Sequence, residues 1–430
     1  MTRQILFNLS FRRLILLFGL LLSFTFSRPT NAANYNTAVF DPFFRTLKVS
    51  VPDNLMAPPV IRLNSDDTLV FSFDEITDEA SHLQVRLVHC NADWQPSRLV
   101  ESEYIDGFNI DDIEDYAFSQ NTFIHFVNYR FEFPSERLRP TVSGNYLLQV
   151  FRQDNPEEVL LQARFMVTEQ AVVVSGESSS RTDKGLNTEW QQVNLTIDPG
   201  DFQLTDPFSE LTVKVSQNGR PDATRSIARP YRLSGNKIIY EHIPALIFPA
   251  GNEFRRFETV RNNYPGMHVD STVYESPCYH AYLSTDLPRA DVSYSYDKTQ
   301  HGRFVVREYN ATDSDLGADY IVVHFELDHP EVINGDVYID GELSMFAYGE
   351  RNKMSYDRDT HKYRAQMPLK QGSYNYQYVV VPRGKDSEGN ASLIDGDKFE
   401  TSNEYQTAVY FTPPGARYDR LIGFTTIYNK

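Results

Sequence analysis

The 430 residues include only two cysteines and two tryptophans, and basic side chains are outnumbered, 41 against 58 acidic. Each shortage excludes something. Cys90 and Cys278 stand in blocks of sequence far apart. A disulfide needs its Cα atoms within about 7 Å, so two buried free thiols are the expected state. Cys-x-x-Cys and His-Glu-x-x-His pairs are missing, which removes the common zinc frameworks. The Gly-x-Ser-x-Gly elbow, the Gly-x-Gly-x-x-Gly fingerprint and a phosphate-cradling loop are missing too. The ten histidines show no triad spacing. No enzyme and no cofactor or metal is expected. The formal charge of −17 makes nucleic acid and anionic membrane surfaces poor partners.

What is present begins with Arg3, Arg12 and Arg13 around an apolar run from Leu14 to Phe26, then Ala32 and Ala33 after a polar stretch. This is the pattern of a cleavable secretory leader over residues 1–33. The run is shorter than the roughly 20 residues a membrane helix needs, and no later segment is apolar enough to span. With no cysteine beside the cleavage region, a lipid anchor is not expected. The exported remainder keeps 37 basic and 58 acidic residues, a net charge of −21. Its length of about 400 residues is too great for one core and suggests roughly three domains.

Helical periodicity is scarce. Thr68-Leu-Val-Phe-Ser-Phe73 and Leu83-Gln-Val-Arg-Leu-Val88 alternate apolar and polar residues at the period of a half-buried strand. Turn chemistry separates such segments, as at Ser143-Gly144 and Asp154-Asn-Pro156. Short strands at this spacing predict an all-β chain of tandem antiparallel β-sandwiches, immunoglobulin-like in class. Composition shifts place boundaries near residues 169 and 288, giving blocks 34–169, 170–288 and 289–430. In the last block, the strand order from Asp319 to Val381 is similar to the early-set sandwiches found beside starch-acting enzymes. Sugar-binding relatives of that kind use paired tryptophans, and this block has none. Tyr374, Tyr376 and Tyr378 share one strand face, a spacing that predicts a packed aromatic ladder.

The most informative stretch is Leu87-Val-His-Cys-Asn-Ala-Asp-Trp94, followed by Gln95-Pro-Ser-Arg-Leu99 and Glu103-Tyr-Ile-Asp-Gly-Phe108. Further on come Ser119-Gln-Asn-Thr122, Tyr129-Arg-Phe-Glu-Phe-Pro134, Ser143-Gly-Asn-Tyr146, Arg164-Phe-Met-Val167 and Gln217-Asn-Gly-Arg220. Gly251-Asn-Glu-Phe-Arg255, Lys370-Gln-Gly-Ser-Tyr-Asn-Tyr376 and Arg417-Tyr-Asp-Arg-Leu-Ile-Gly423 complete the series. In this order, from about Asp41 onward, the chain resembles the plug proteins of the type 9 secretion system of Bacteroidetes. The resemblance implies a non-enzymatic, periplasmic protein associated with the outer membrane. Its implied partner is the giant translocon β-barrel, whose periplasmic opening it plugs. A glycan-binding accessory protein is the alternative that the early-set block suggests, with an exposed aromatic patch near Tyr348 or Tyr374.

Five residues are candidates for partner contact: Trp94, Tyr104, Phe108, Arg255 and Arg256. Aromatic side chains beside charges are what interface hot spots use. For Trp94 the competing reading, a cap on the first core, is preferred, and the loop from Tyr104 to Asp115 is the better interface candidate. Arg255 and Arg256 equally fit an internal arginine–carboxylate pair. His89, Cys90 and Asp93 are expected to pack rather than bind metal, since His89 and Cys90 point to opposite faces of a strand. The acidic run Asp313 to Asp319 is expected to be an ordinary turn, and the tail 417–423 to dock either on the body or on a partner.

Overall fold

The computed structural model describes residues 35–383 and 388–429, so the expected leader lies outside the described residues. The apolar–polar alternation read from the sequence is realised. Leu83–Cys90, for example, buries Leu83, Val85 and Leu87 and turns Gln84, Arg86 and Val88 outward. Strands dominate, arranged as paired, largely antiparallel sheets, which is the all-β sandwich class expected. Thr37 to Lys430 pack as one unit that holds three such sandwiches.

In the first sandwich, one sheet has at its centre Leu83–Cys90, Gly144–Arg152 and Asn155–Thr168, with Val60–Arg62 added in parallel and Asp111–Asp112 at one edge. The facing sheet runs Phe44–Ser50, Leu69–Glu75, Val127–Phe133, Asp115–Phe118. Aromatic rings fill the space between. Phe71 meets Phe165 edge-on at 5.5 Å, Phe73 stacks on Tyr129 at 5.5 Å, and Tyr146 stacks on Phe165 at 5.4 Å. Such pairs add to the area they bury, by roughly 0.5–1.5 kcal/mol each.

The second and third sandwiches do not follow the linear blocks. Leu211–Gln217 pairs along its whole length with Glu404–Phe411, which in turn pairs with Arg420–Tyr428. The last two strands therefore complete the second sandwich, opposite Val173–Ser179 and Trp190–Asp198. Its core joins Val193, Leu195 and Val213 to Tyr405, Val409 and Ile422. The third sandwich is inserted between these halves. It starts at Arg255–Glu258, already inside the second sequence block, and ends at Gly372–Val381. The boundary expected at residue 288 is thus corrected at both ends. Strand pairing across nearly 200 residues leaves no local signal, because a strand's own pattern does not name its partner.

The tyrosine ladder is as the spacing predicted: Tyr374, Tyr376 and Tyr378 are all fully buried. Phe257 and Phe304 stack on Tyr374 at 5.0 and 5.1 Å. Cys90 and Cys278 are both buried and unbonded.

Candidate interaction surface and internal joints

The motifs that stood out in the sequence converge in space on the seams between sandwiches. The turn after Leu83–Cys90 is built from local bonds: the Trp94 N–H donates to the Asn91 carbonyl and the Gln95 N–H to Asp93 Oδ1. That turn receives the C-terminal motif. Asp419 Oδ2 accepts from the Ala92 N–H at 2.9 Å, and the Asp419 N–H donates to Asn91 Oδ1 at 3.2 Å. The Arg98 N–H donates to the Arg417 carbonyl, and the Arg417 guanidinium pairs with Glu103. Tyr418 sits edge-on to His89 at 5.4 Å. The tail 417–423 therefore docks on the first sandwich.

Ser143-Gly-Asn-Tyr146 belongs to the same seam. Ser143 Oγ donates to Glu169 and accepts from the Leu421 N–H, and Glu169 pairs with Arg420 at 2.6 Å. Asn145 donates to the Asn91 carbonyl and accepts from the Tyr410 hydroxyl at 2.6 Å. Gly144 stands at φ +146°, and a Cβ there would lie 2.5 Å from His89 Nε2. That nitrogen faces the Ser143 carbonyl at 3.2 Å and so carries the proton, while Nδ1 accepts from the Ser97 hydroxyl. Burial pushes the His89 pKa down to about 4.

Charged pairs close the other two seams. Lys370 Nζ reaches Asp74 Oδ2 at 2.7 Å with both side chains sealed from solvent, and the Tyr320 hydroxyl donates to the same oxygen at 2.7 Å. Lys48 donates to the Phe304 carbonyl nearby. Asp319, read in the sequence as part of an ordinary turn, accepts from the Phe123 and Ile124 N–H groups of the first sandwich. Between the second and third, Arg303 pairs with Glu404 at 2.5 Å, and Arg220 bridges Asp222 at 2.8 Å and Asp340 at 3.5 Å. Every sandwich is thus tied to both others.

The five candidate contacts divide. Trp94 is half-buried on the outer side of its sheet, with the Arg164 guanidinium 4.2 Å from its ring centre, so it does not cap the core. Tyr104 is the core residue, its hydroxyl donating to the Leu87 carbonyl. This removes it from the surface, because the short helix Glu101–Tyr104 turns it inward. Arg255 is internal as well. It binds Asp286, Asp395 and the Leu287 carbonyl, while Tyr376 and Tyr378 donate to Asp286. Burial raises the Asp286 carboxyl, but His268, Arg255 and Tyr376 outweigh it and hold its pKa at about 2. Arg256 is partly buried against Asp297 and the Lys298 carbonyl. Phe108 alone stands free, 88% exposed. Tyr116 and Phe118 are exposed as well, because their strand lies at the edge of its sheet and nothing packs beyond it among the described residues.

Among the described residues, no group of three or more His, Cys, Asp or Glu is placed to hold a metal ion, and no helix is long and apolar enough to cross a membrane. The patch expected near Tyr348 or Tyr374 is not there: Tyr374 is buried, and Tyr348 is partly buried with its hydroxyl on Asp222.

A set of sandwiches braced by polar seams, with most of its exposed phenylalanines on the first, is an all-β scaffold with no catalytic constellation among the described residues. Residues 44–169 match the family model of the type 9 secretion system plug protein first domain. A crystal structure of a hypothetical protein from Parabacteroides merdae is 40% identical and superposes with a TM-score of 0.90, over 92% of this chain and 99% of that one. A DNA-bound alkylpurine glycosylase from Pseudomonas fluorescens is 13% identical over 29% of each chain, at a TM-score of 0.17, too low to carry an argument. No curated protein matches. The chain belongs to the type 9 secretion system plug protein family. That family is a structural component of the secretion machinery and not a known enzyme family.

Proposed function

We propose that this protein, exported by a leader over residues 1–33, occupies the periplasmic mouth of the giant outer-membrane barrel of the type 9 translocon and blocks it until cargo engages. A barrel wide enough for folded cargo has an open lumen unless something fills it. Filling it requires a body that keeps its shape. The observation that carries this reading is the sealed Lys370–Asp74 pair between the first and third sandwiches. A buried ion pair that loses its partner costs about 3–5 kcal/mol, so sandwiches joined in this way do not swing apart freely. Release then needs only a barrel conformer that prefers another partner. The glycan-binding alternative is not supported at the positions it names, since Tyr374 is buried and Tyr348 partly buried.

The test is deletion of the gene. Barrels isolated from the deletion strain are expected to conduct as open pores in planar bilayers, and the cells to admit large hydrophilic probes. Closed barrels and unchanged permeability would overturn the proposal.

A further inference from the structure

One continuous stretch, residues 105–118, closes the flank of the first sandwich. Ile105–Gly107 pairs with Leu138–Pro140, Asp111–Asp112 forms the edge of one sheet, and Asp115–Phe118 forms the edge of the other. Ile105 and Ile113 are buried and pin the stretch to the core. The uncovered side chains are the reverse of what a closed flank needs. Phe108 is 88% exposed, Ile110 48%, Tyr116 47% and Phe118 50%. Tyr116 lies 5.8 Å from Tyr129 and 6.3 Å from Phe118, so both edge rings share the core-side face of their strand. Five of the six exposed phenylalanines among the described residues belong to this sandwich.

The charge around these rings is predominantly negative. Asp106, Glu114 and Asp115 are exposed and enter no ion pair among the described residues, while Asp111 and Asp112 share Arg137. The cations opposite are spoken for: Arg139, across from Asp106, donates to the Ser135 carbonyl, and Arg130, across from Asp115, faces Asp315 at 3.8 Å. Residues 35–169 hold 22 acidic and 10 basic side chains, a net charge of −12. A second copy of this chain would bring like charge to the same edge, and so would an anionic lipid surface. The free edge of Asp115–Phe118 offers unpaired backbone groups, which an extended peptide uses by adding a strand.

We propose that this flank is a docking surface for an extended, cationic segment of a partner protein, which pairs with the Asp115–Phe118 edge and lays apolar side chains on Tyr116, Phe118 and Phe108. The proposal rests on the plug reading only for who supplies the segment, which is then the translocon barrel.

The full-length chain, produced in its own host with the photo-crosslinker benzoylphenylalanine in place of Phe108 or Phe118, tests it. The same probe in place of Tyr231, exposed on the second sandwich, is the control. The expected result is an adduct at both flank positions to one segment rich in Lys and Arg, absent at the control position. Glu114→Lys combined with Asp115→Lys should lower its yield at least tenfold without changing thermal unfolding. No adduct, an acidic or uncharged captured segment, or a yield indifferent to charge reversal would overturn the proposal. A cationic segment from a protein other than the barrel would sustain the docking surface and sink the plug reading.

Discussion

Gly144 and His89 illustrate how single residues set this fold. Glycine is needed at 144 for two reasons at once, a backbone at φ +146° and an imidazole nitrogen where a Cβ would project. Gly144→Ala should therefore destabilise the protein by more than about 2 kcal/mol, read from urea unfolding. An unchanged midpoint would contradict the close approach. His89 makes a prediction about pH. Its folded pKa of about 4 lies below the ordinary 6.5, so the unfolded chain binds the extra proton between those values. Stability contributed by the neutral ring is fully present above pH 6.5 and is lost as pH falls toward 4, by about 3 kcal/mol in total. His89→Gln should flatten that part of the stability–pH curve. A slope unchanged in the variant would assign the acid sensitivity elsewhere.

Elements show where sequence reasoning reaches and where it stops. Strand existence was legible at Leu83–Cys90 and in the tyrosine ladder, because alternation reports which face is buried. Pairing was not legible. Glu404–Phe411 reads as one more strand of the last block, yet its partner is Leu211–Gln217. Removing residues 404–430 should strip the second core of Tyr405, Val409, Phe411, Ile422 and Ile427, and amide exchange across residues 172–250 should lose its protection. Retained protection would contradict the shared sandwich. Exposure was likewise hidden: Tyr104 and Phe108 sit four residues apart in one loop, and only the inward turn of Glu101–Tyr104 separates a core ring from a surface ring. The seams make a further prediction. Lys370→Met leaves the Asp74 carboxylate buried and short of its cation, and should cost about 3–5 kcal/mol. Lys370→Met combined with Asp74→Leu should recover much of that loss, because the orphaned charge is gone. A double variant as unstable as the sum of its singles would argue that the two groups act independently.

At the scale of the whole molecule, most of the motifs that led to the family turn out to be fasteners. The turn after Cys90, Ser143 to Tyr146, Gln217 to Arg220 and the tail 417–423 all spend their polar groups on one another or on a neighbouring sandwich. What they hold together is an acidic block whose exposed phenylalanines gather on its first member. That division of labour, motifs inside and contact outside, suits a body that works by filling a space. The direct test is affinity purification of the tagged mature chain from detergent-solubilised envelopes, with the co-purifying proteins identified. Stoichiometric recovery of a giant outer-membrane barrel is the predicted result. Recovery of the chain with soluble proteins alone, from envelopes that contain the barrel, would contradict it.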